Sequence, residues 1–129
     1  MLSLHRTCIS EDLQKHAVPR FADKEDITDE ELRDTADLLE AGQFDANLGG
    51  GVFKMRVARI GEGKTGGYRV IVIFMCGHRA FYVEGFAKSQ KGNISQREKR
   101  NFKTLAKKYL ALSDEIIDEA VRTGRFIEI

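Results

Sequence analysis

The sequence predicts an α+β domain built on a small antiparallel (mixed) β-sheet of about four or five strands with helices packed against it. Three observations predict it. Apolar residues recur at helical spacing up to residue 41. The period falls to two in the strand-like stretches between Val52 and Lys88. Helical spacing then returns after Ser95.

Taken in order, residues 2–9 (LSLHRTCI) alternate loosely and read as a short strand. Ser10 is an N-cap for a helix over 10–25 carrying Leu13, Ala17, Phe21 and Ala22, which Pro19 kinks or ends because it lacks an N–H. Thr28 and Glu31 form a capping-box pattern ahead of a helix over 28–41. Its stripe is Leu32, Ala36 and Leu39, its first turn is acidic, and Gly42 stops it. Gln43 to Gly51 reads as a turn. In VFKMRVARI, Phe53, Met55 and Val57 alternate with Lys54, Arg56 and Ala58, a half-buried strand with cations on its open face. GEGKTGG is a loop. YRVIVIF, residues 68–74, is apolar on both faces and so predicts a central strand covered on both sides. Met75 to His78 is a hairpin turn, and residues 79–88 are a third long strand. Ser95 and Glu98 repeat the capping box before Phe102, Leu105, Ala106, Tyr109 and Leu110. A short helix follows from Ser113 to Gly124, and RFIEI closes as an edge strand. The order is β-α-α-βββ-α-α-β.

Length makes residues 1–129 one domain, with enough chain for a core that needs no staples. Cys8 and Cys76 form no CxxC pair, and with His5, His16 and His78 scattered, no metal is expected. No cofactor is called for. The chain has neither a signal-peptide pattern nor a membrane-length apolar run, so a cytoplasmic protein that keeps its cysteines reduced is expected.

Charge is sorted by position. Residues 51–108 carry fourteen Lys and Arg against three acids, a balance of +11, whereas residues 1–50 carry five against twelve, or −7. Such a cationic middle concentrates polyanions and is the footprint of a nucleic-acid binder. The alternative is a solvated face neutralised by the acidic ends. Basic residues interleaved with strand residues favour the functional reading.

Ala58 to Thr65 (ARIGEGKT) matches a relaxed P-loop, and Gly61, Gly63 and Gly66 satisfy GxGxxG. Both motifs need a helix after the loop to hold phosphate. Here a β-branched strand follows, so both matches are accidental. Lys64 fits equally a solvated loop lysine and a cation that swings over a bound phosphate. The sharper group is Lys54, Arg56, Arg69 and Lys88. Lys54 and Arg56 share one strand face, and an antiparallel hairpin sets the start of one strand (Arg69) beside the end of the next (Lys88). Together they suit one phosphodiester; the alternative is four snorkelling edge charges. Such a cluster repels itself until an anion arrives. Phe86 and Tyr82 share the face of Lys88, where an aromatic can stack a base, although a strand aromatic is more often core.

The run from Gly42 to Leu105, above all LGGGVFKMRVAR followed by GKTGGYR, resembles the RelE/ParE superfamily of toxins, and within it the HigB-like group of RelE toxins. The resemblance implies a small sheet with helices on one side. It implies an mRNA interferase that cuts transcripts, usually on the ribosome, and needs no metal. It implies a cognate antitoxin, often a helix-turn-helix DNA-binding protein. By position, the resemblance places Lys54, Arg56, Arg69 and Lys88 as catalytic residues, with Arg59 and Lys64 in the same motif stretch; the candidate RNA contacts are Arg59, Lys64, Phe86 and Lys91. Many relatives place a C-terminal tyrosine or histidine near the site. RFIEI has neither, so the proton-transfer residue stays open.

The expected chemistry is attack of a 2′-OH on the adjacent phosphorus, with Arg56 and Arg69 holding the charged oxygens. Lys54 is the candidate base, favoured by cations around it, and Lys88 assists the leaving 5′-oxygen. Two alternatives remain: a ParE-like gyrase inhibitor, and a non-catalytic nucleic-acid-binding or antitoxin-binding protein.

Overall fold

In a computed structural model of the chain, residues 6–9, 29–57, 68–75, 77–87 and 93–129 are described. They contain β1 (Arg6–Ile9), α1 (Asp29–Glu40), β2 (Ala46–Gly49), β3 (Val52–Val57), β4 (Tyr68–Met75), β5 (Arg79–Ala87), α2 (Gln96–Leu110), α3 (Asp114–Arg122) and β6 (Ile127–Glu128). The strands form one six-stranded sheet in the order β2-β3-β4-β5-β1-β6. All neighbours are antiparallel except β1 and β5, which run parallel with Cys8 beside Phe81. The α+β reading with a mixed sheet holds. The predicted helix over 10–25, the Thr28 cap and the GEGKTGG loop lie outside the described residues.

Three expectations are corrected. The stretch read as a turn, Gln43 to Gly51, contains β2, which pairs Ala46 with Lys54 and raises the strand count to six. The helices do not sit on one side. Alternation along β4 sends Val70, Val72 and Phe74 into a core with Leu32, Ala36 and Leu39 of α1. It sends Ile71 and Ile73 into a second core with Ala106 of α2 and with Ile117 and Ala120 of α3. The sheet is therefore covered on both faces, which is why YRVIVIF has no polar face. Third, Tyr82 and Phe86 do not share a face. A bulge lets Ile71 pair with Glu84 and Val72 with Tyr82, leaving Val83 as the extra residue. One inserted residue reverses the alternation, so Tyr82 belongs to the α1 core while Phe86 packs on the other side.

Local chemistry explains the elements. Ser95 caps α2 by accepting from the Glu98 N–H while the Glu98 carboxylate accepts from the Ser95 N–H. Ser113 caps α3 by accepting from the Ile116 N–H. Each cap is worth about 1 kcal/mol. The β2–β3 turn uses Gly49, Gly50 and Gly51, all at positive φ. At Gly51 an added Cβ would stand 2.7 Å from Leu110 Cδ1, so α2 can lie close over the hairpin only because this residue has no side chain.

Tyr82 is fully buried. Its hydroxyl donates to the Leu32 carbonyl and lies against Thr35, whose own hydroxyl donates to the same carbonyl at 2.6 Å. Burial holds the phenol protonated well above its ordinary value near 10. Below that pH the hydroxyl is protonated in both folded and unfolded chains. Above it the unfolded chain sheds the proton first, so this group's share of stability falls by up to about 1.4 kcal/mol per pH unit. The gap in denaturation midpoint between wild type and Tyr82→Phe is therefore expected to close between pH 9 and about 11. A constant gap would refute the burial argument. On the opposite face, burial pushes the Cys8 thiol up to about 11, which makes it a packing residue rather than a nucleophile.

Candidate functional site

The registers of β3, β4 and β5 decide which charges meet. Arg56 pairs with Arg69, and Arg69 pairs with Phe86. Lys54 pairs with Ile71, which pairs with Glu84. Since Ile71 faces α2, all of these side chains project from that same face. Lys54 and Arg56 share one face as expected, and the register adds Arg69 and Phe86 beside them. Lys88, Arg59, Lys64 and Lys91 lie outside the described residues.

The cations are not alone. Asp45, on the residue before β2, accepts from Arg69 Nε at 3.0 Å and stands 3.6 Å from Lys54 Nζ, both through Oδ2. Its own N–H donates to the Lys54 carbonyl at 3.0 Å, which fixes it across from that residue. One carboxylate therefore ties together cations from two adjacent strands, and the three cations Lys54, Arg56 and Arg69 less the two acids Asp45 and Glu84 leave this face at +1. The side chains of Lys54 and Arg69 are only 19% and 12% exposed, whereas Arg56 is exposed. The self-repelling cation cluster expected from sequence is instead partly neutralised from within. Among the described residues Arg69 Nη1 is buried with no hydrogen-bond partner, an arrangement that costs about 1–3 kcal/mol when a donor stays unmet.

Asp45 is the site residue that sequence reading missed. The available signal was GGG at 49–51: a tight hairpin centred there folds the preceding residues back along β3 and brings residue 45 opposite the Lys54 carbonyl. The helix cations were also left out of the site. Arg100, Lys103 and Lys107 recur at i, i+3, i+7 on one side of α2 and are all exposed. The Lys103 side chain lies across the glycine turn, with its Nζ 3.3 Å from where a Gly49 Cβ would be. Positive charge thus extends from the strand group to the hairpin tip.

Fold and face define the class: a small α+β protein that draws arginine and lysine from neighbouring strands onto one surface. Residues 13–129 match the family model described as the RelE toxin of the RelE / RelB toxin–antitoxin system. The chain belongs to that family; it is a toxin of a toxin–antitoxin system, and an antitoxin partner follows from that membership. A search of curated proteins finds no match. Among the described residues, no helix is long and apolar enough to cross a membrane.

Proposed function

We propose that this toxin is an mRNA interferase of the HigB-like kind, a single domain that cuts ribosome-bound transcripts in the cytoplasm. The observation that carries the reading is the cross-strand pair Arg56–Arg69 with Lys54 one pair further along on the same face. Two guanidinium forks side by side suit the non-bridging oxygens of one phosphodiester, whose charge grows as the phosphorus becomes pentacoordinate. Family membership supports it, since the RelE resemblance implies RNA cleavage.

In this reading the 2′-oxygen attacks phosphorus, and its proton passes to Lys54 in the neutral amine form, the surplus proton having gone to solvent beforehand. The P–O5′ bond breaks, and Lys88 supplies a proton to the departing oxygen. The products are a 2′,3′-cyclic phosphate and a 5′-OH. Asp45 holds Arg69 by Nε, which fixes the guanidinium plane while the phosphate is bound. Arg59, Lys64 and Lys91 contact the RNA backbone. Phe86, the cross-strand neighbour of Arg69, is the aromatic that this reading assigns to a base. The antitoxin is a helix-turn-helix DNA-binding protein that covers the cations until it is degraded.

Primer extension on a defined mRNA in a reconstituted translation reaction tests the reading. Cuts within codons only when ribosomes are present are the expected result. Cuts without ribosomes would mean a free ribonuclease. No cuts, with DNA breaks trapped on gyrase, would move the assignment to the ParE-like branch. Salt-dependent RNA binding with no cleavage would mean a non-catalytic binder.

A further inference from the structure

We propose that the loop entering β2 builds a nucleobase subsite beside the cationic group, with Phe44 as its stacking platform. The inference rests on the RNA-cutting reading and adds where a base of the substrate is held. Phe44 is 44% exposed, unusual for so large an apolar ring. It is nonetheless held in place. Its centroid lies 5.2 Å from that of Phe53, and Phe53 in turn meets Phe74 edge-on at 6.0 Å. The three rings brace one another from the outer loop to the core of β4.

A hollow of about 220 Å³ opens at this ring, lined by Leu38, Gln43, Phe44, Asp45, Met55 and Arg56. It lies where β3 continues past Ala46–Lys54, its last pair with β2. There Met55 contributes from the α1 face and Arg56 from the opposite face. The volume is below the roughly 300–1,000 Å³ that holds a drug-sized ligand, and it suits one flat ring system. Its chemistry is divided as a base requires. Phe44, Leu38 and Met55 offer apolar walls, while Gln43, Asp45 and Arg56 offer polar atoms to an edge.

Two lining residues join the hollow to the phosphate group. Arg56 is the cross-strand partner of Arg69, and Asp45 is the carboxylate that pairs with Arg69 and Lys54. A nucleotide whose phosphate meets Arg56 therefore has its base beside Phe44. This continuity with the cationic surface favours single-stranded RNA over an apolar protein anchor, which carries no negative charge to meet Arg56 at the rim.

The test uses a short single-stranded RNA carrying 2-aminopurine, with 2′-O-methyl groups to prevent cleavage. It is titrated into the purified wild type, Phe44→Ala and Phe44→Tyr. Wild type and Phe44→Tyr are expected to quench the fluorescence by stacking. Phe44→Ala is expected to bind about 5- to 150-fold more weakly, the range for loss of one stacked base. In parallel, primer extension is expected to show a changed distribution of cut positions for Phe44→Ala, with an unchanged melting curve. Equal quenching and affinity for wild type and Phe44→Ala would overturn the subsite. If wild type cuts mRNA without any dependence on Phe44, only the subsite fails. If stacking depends on Phe44 in a protein that cuts nothing, only the nuclease reading fails. If Phe44→Ala keeps RNA binding but loses the antitoxin, the surface serves a protein and the proposal is wrong.

Discussion

Arg69→Ala is expected to slow mRNA cleavage by about 10²–10³-fold, the usual loss when one preorganised donor to a developing oxyanion is removed. The side chain is unusual among the strand cations. It is largely enclosed, it is held through Nε by Asp45, and its Nη1 has no partner among the described residues. A fixed guanidinium with an unmet donor gains more from an incoming phosphate oxygen than a solvated lysine does. Arg69→Lys separates charge from shape: it keeps the cation but loses the fork, so it is expected to recover only part of the rate. Asp45→Asn removes the carboxylate that orients Arg69 without removing the donor. It is expected to cost less than Arg69→Ala, at most the ~1.5–3 kcal/mol of a hydrogen bond to a charged group. Single-turnover rates from primer extension give these numbers, and thermal melts of each variant confirm that the protein under test is folded. A folded Arg69→Ala that cuts at the wild-type rate would remove Arg69 from the reaction and with it the assignment of this face.

Those variants target a group whose outline was readable in the sequence and whose detail was not. The alternation VFKMRV places Lys54 and Arg56 on one face by period alone, and YRVIVIF marks the neighbouring strand, but the register that sets Arg56 opposite Arg69 is visible only in the structure. The capping box and stripe of α2 are equally local. Asp45 was hidden because β2 is ANLG, with one sizeable apolar side chain. Its pairing is carried by backbone hydrogen bonds and a glycine turn rather than by periodicity. The bulge at Val83 was hidden because an inserted residue changes no composition, yet it separates Tyr82 from Phe86. The parallel pairing of β1 with β5 joins residues more than seventy positions apart and leaves no local trace. The arrangement of helices is instructive in another way. The resemblance implied cover on one side, while the two-sided apolar run of β4 required cover on both. The residues were the better guide, because every apolar side chain on that strand had to be buried somewhere.

The largest expected loss of stability comes from Phe81→Ala, at about 3–5 kcal/mol. Native domains hold only about 5–15 kcal/mol in reserve, so this one change removes a large share. Phe81 is fully buried on β5 and meets Tyr109 of α2 at 5.1 Å and Phe126, just before β6, at 5.3 Å. Tyr109 and Phe126 also meet each other at 5.3 Å, close to perpendicular. Three parts of the chain thus converge on one ring triangle, and Ala at 81 leaves a void bounded by two large rings that cannot both move inward. Arg79, two residues away, anchors the same corner by donating to the Leu112 carbonyl and pairing with Asp114. This keeps the α2–α3 junction in place when the ring is gone, so the loss is expected to fall first on the C-terminal segment. Hydrogen exchange should show it: the Ile129 N–H, which donates to the Thr7 carbonyl at 2.9 Å, should lose protection before the β3–β4 amides do. Cleavage by the folded fraction should be unchanged, because Phe81 pairs with Ile73, four residues along β4 from Arg69. A denaturation midpoint within about 1 kcal/mol of wild type would mean that this aromatic triangle does not hold α2 to the sheet. A full loss of activity in folded Phe81→Ala protein would mean that the aromatic triangle and the cationic group, which share the α2 side of the sheet, act as one unit.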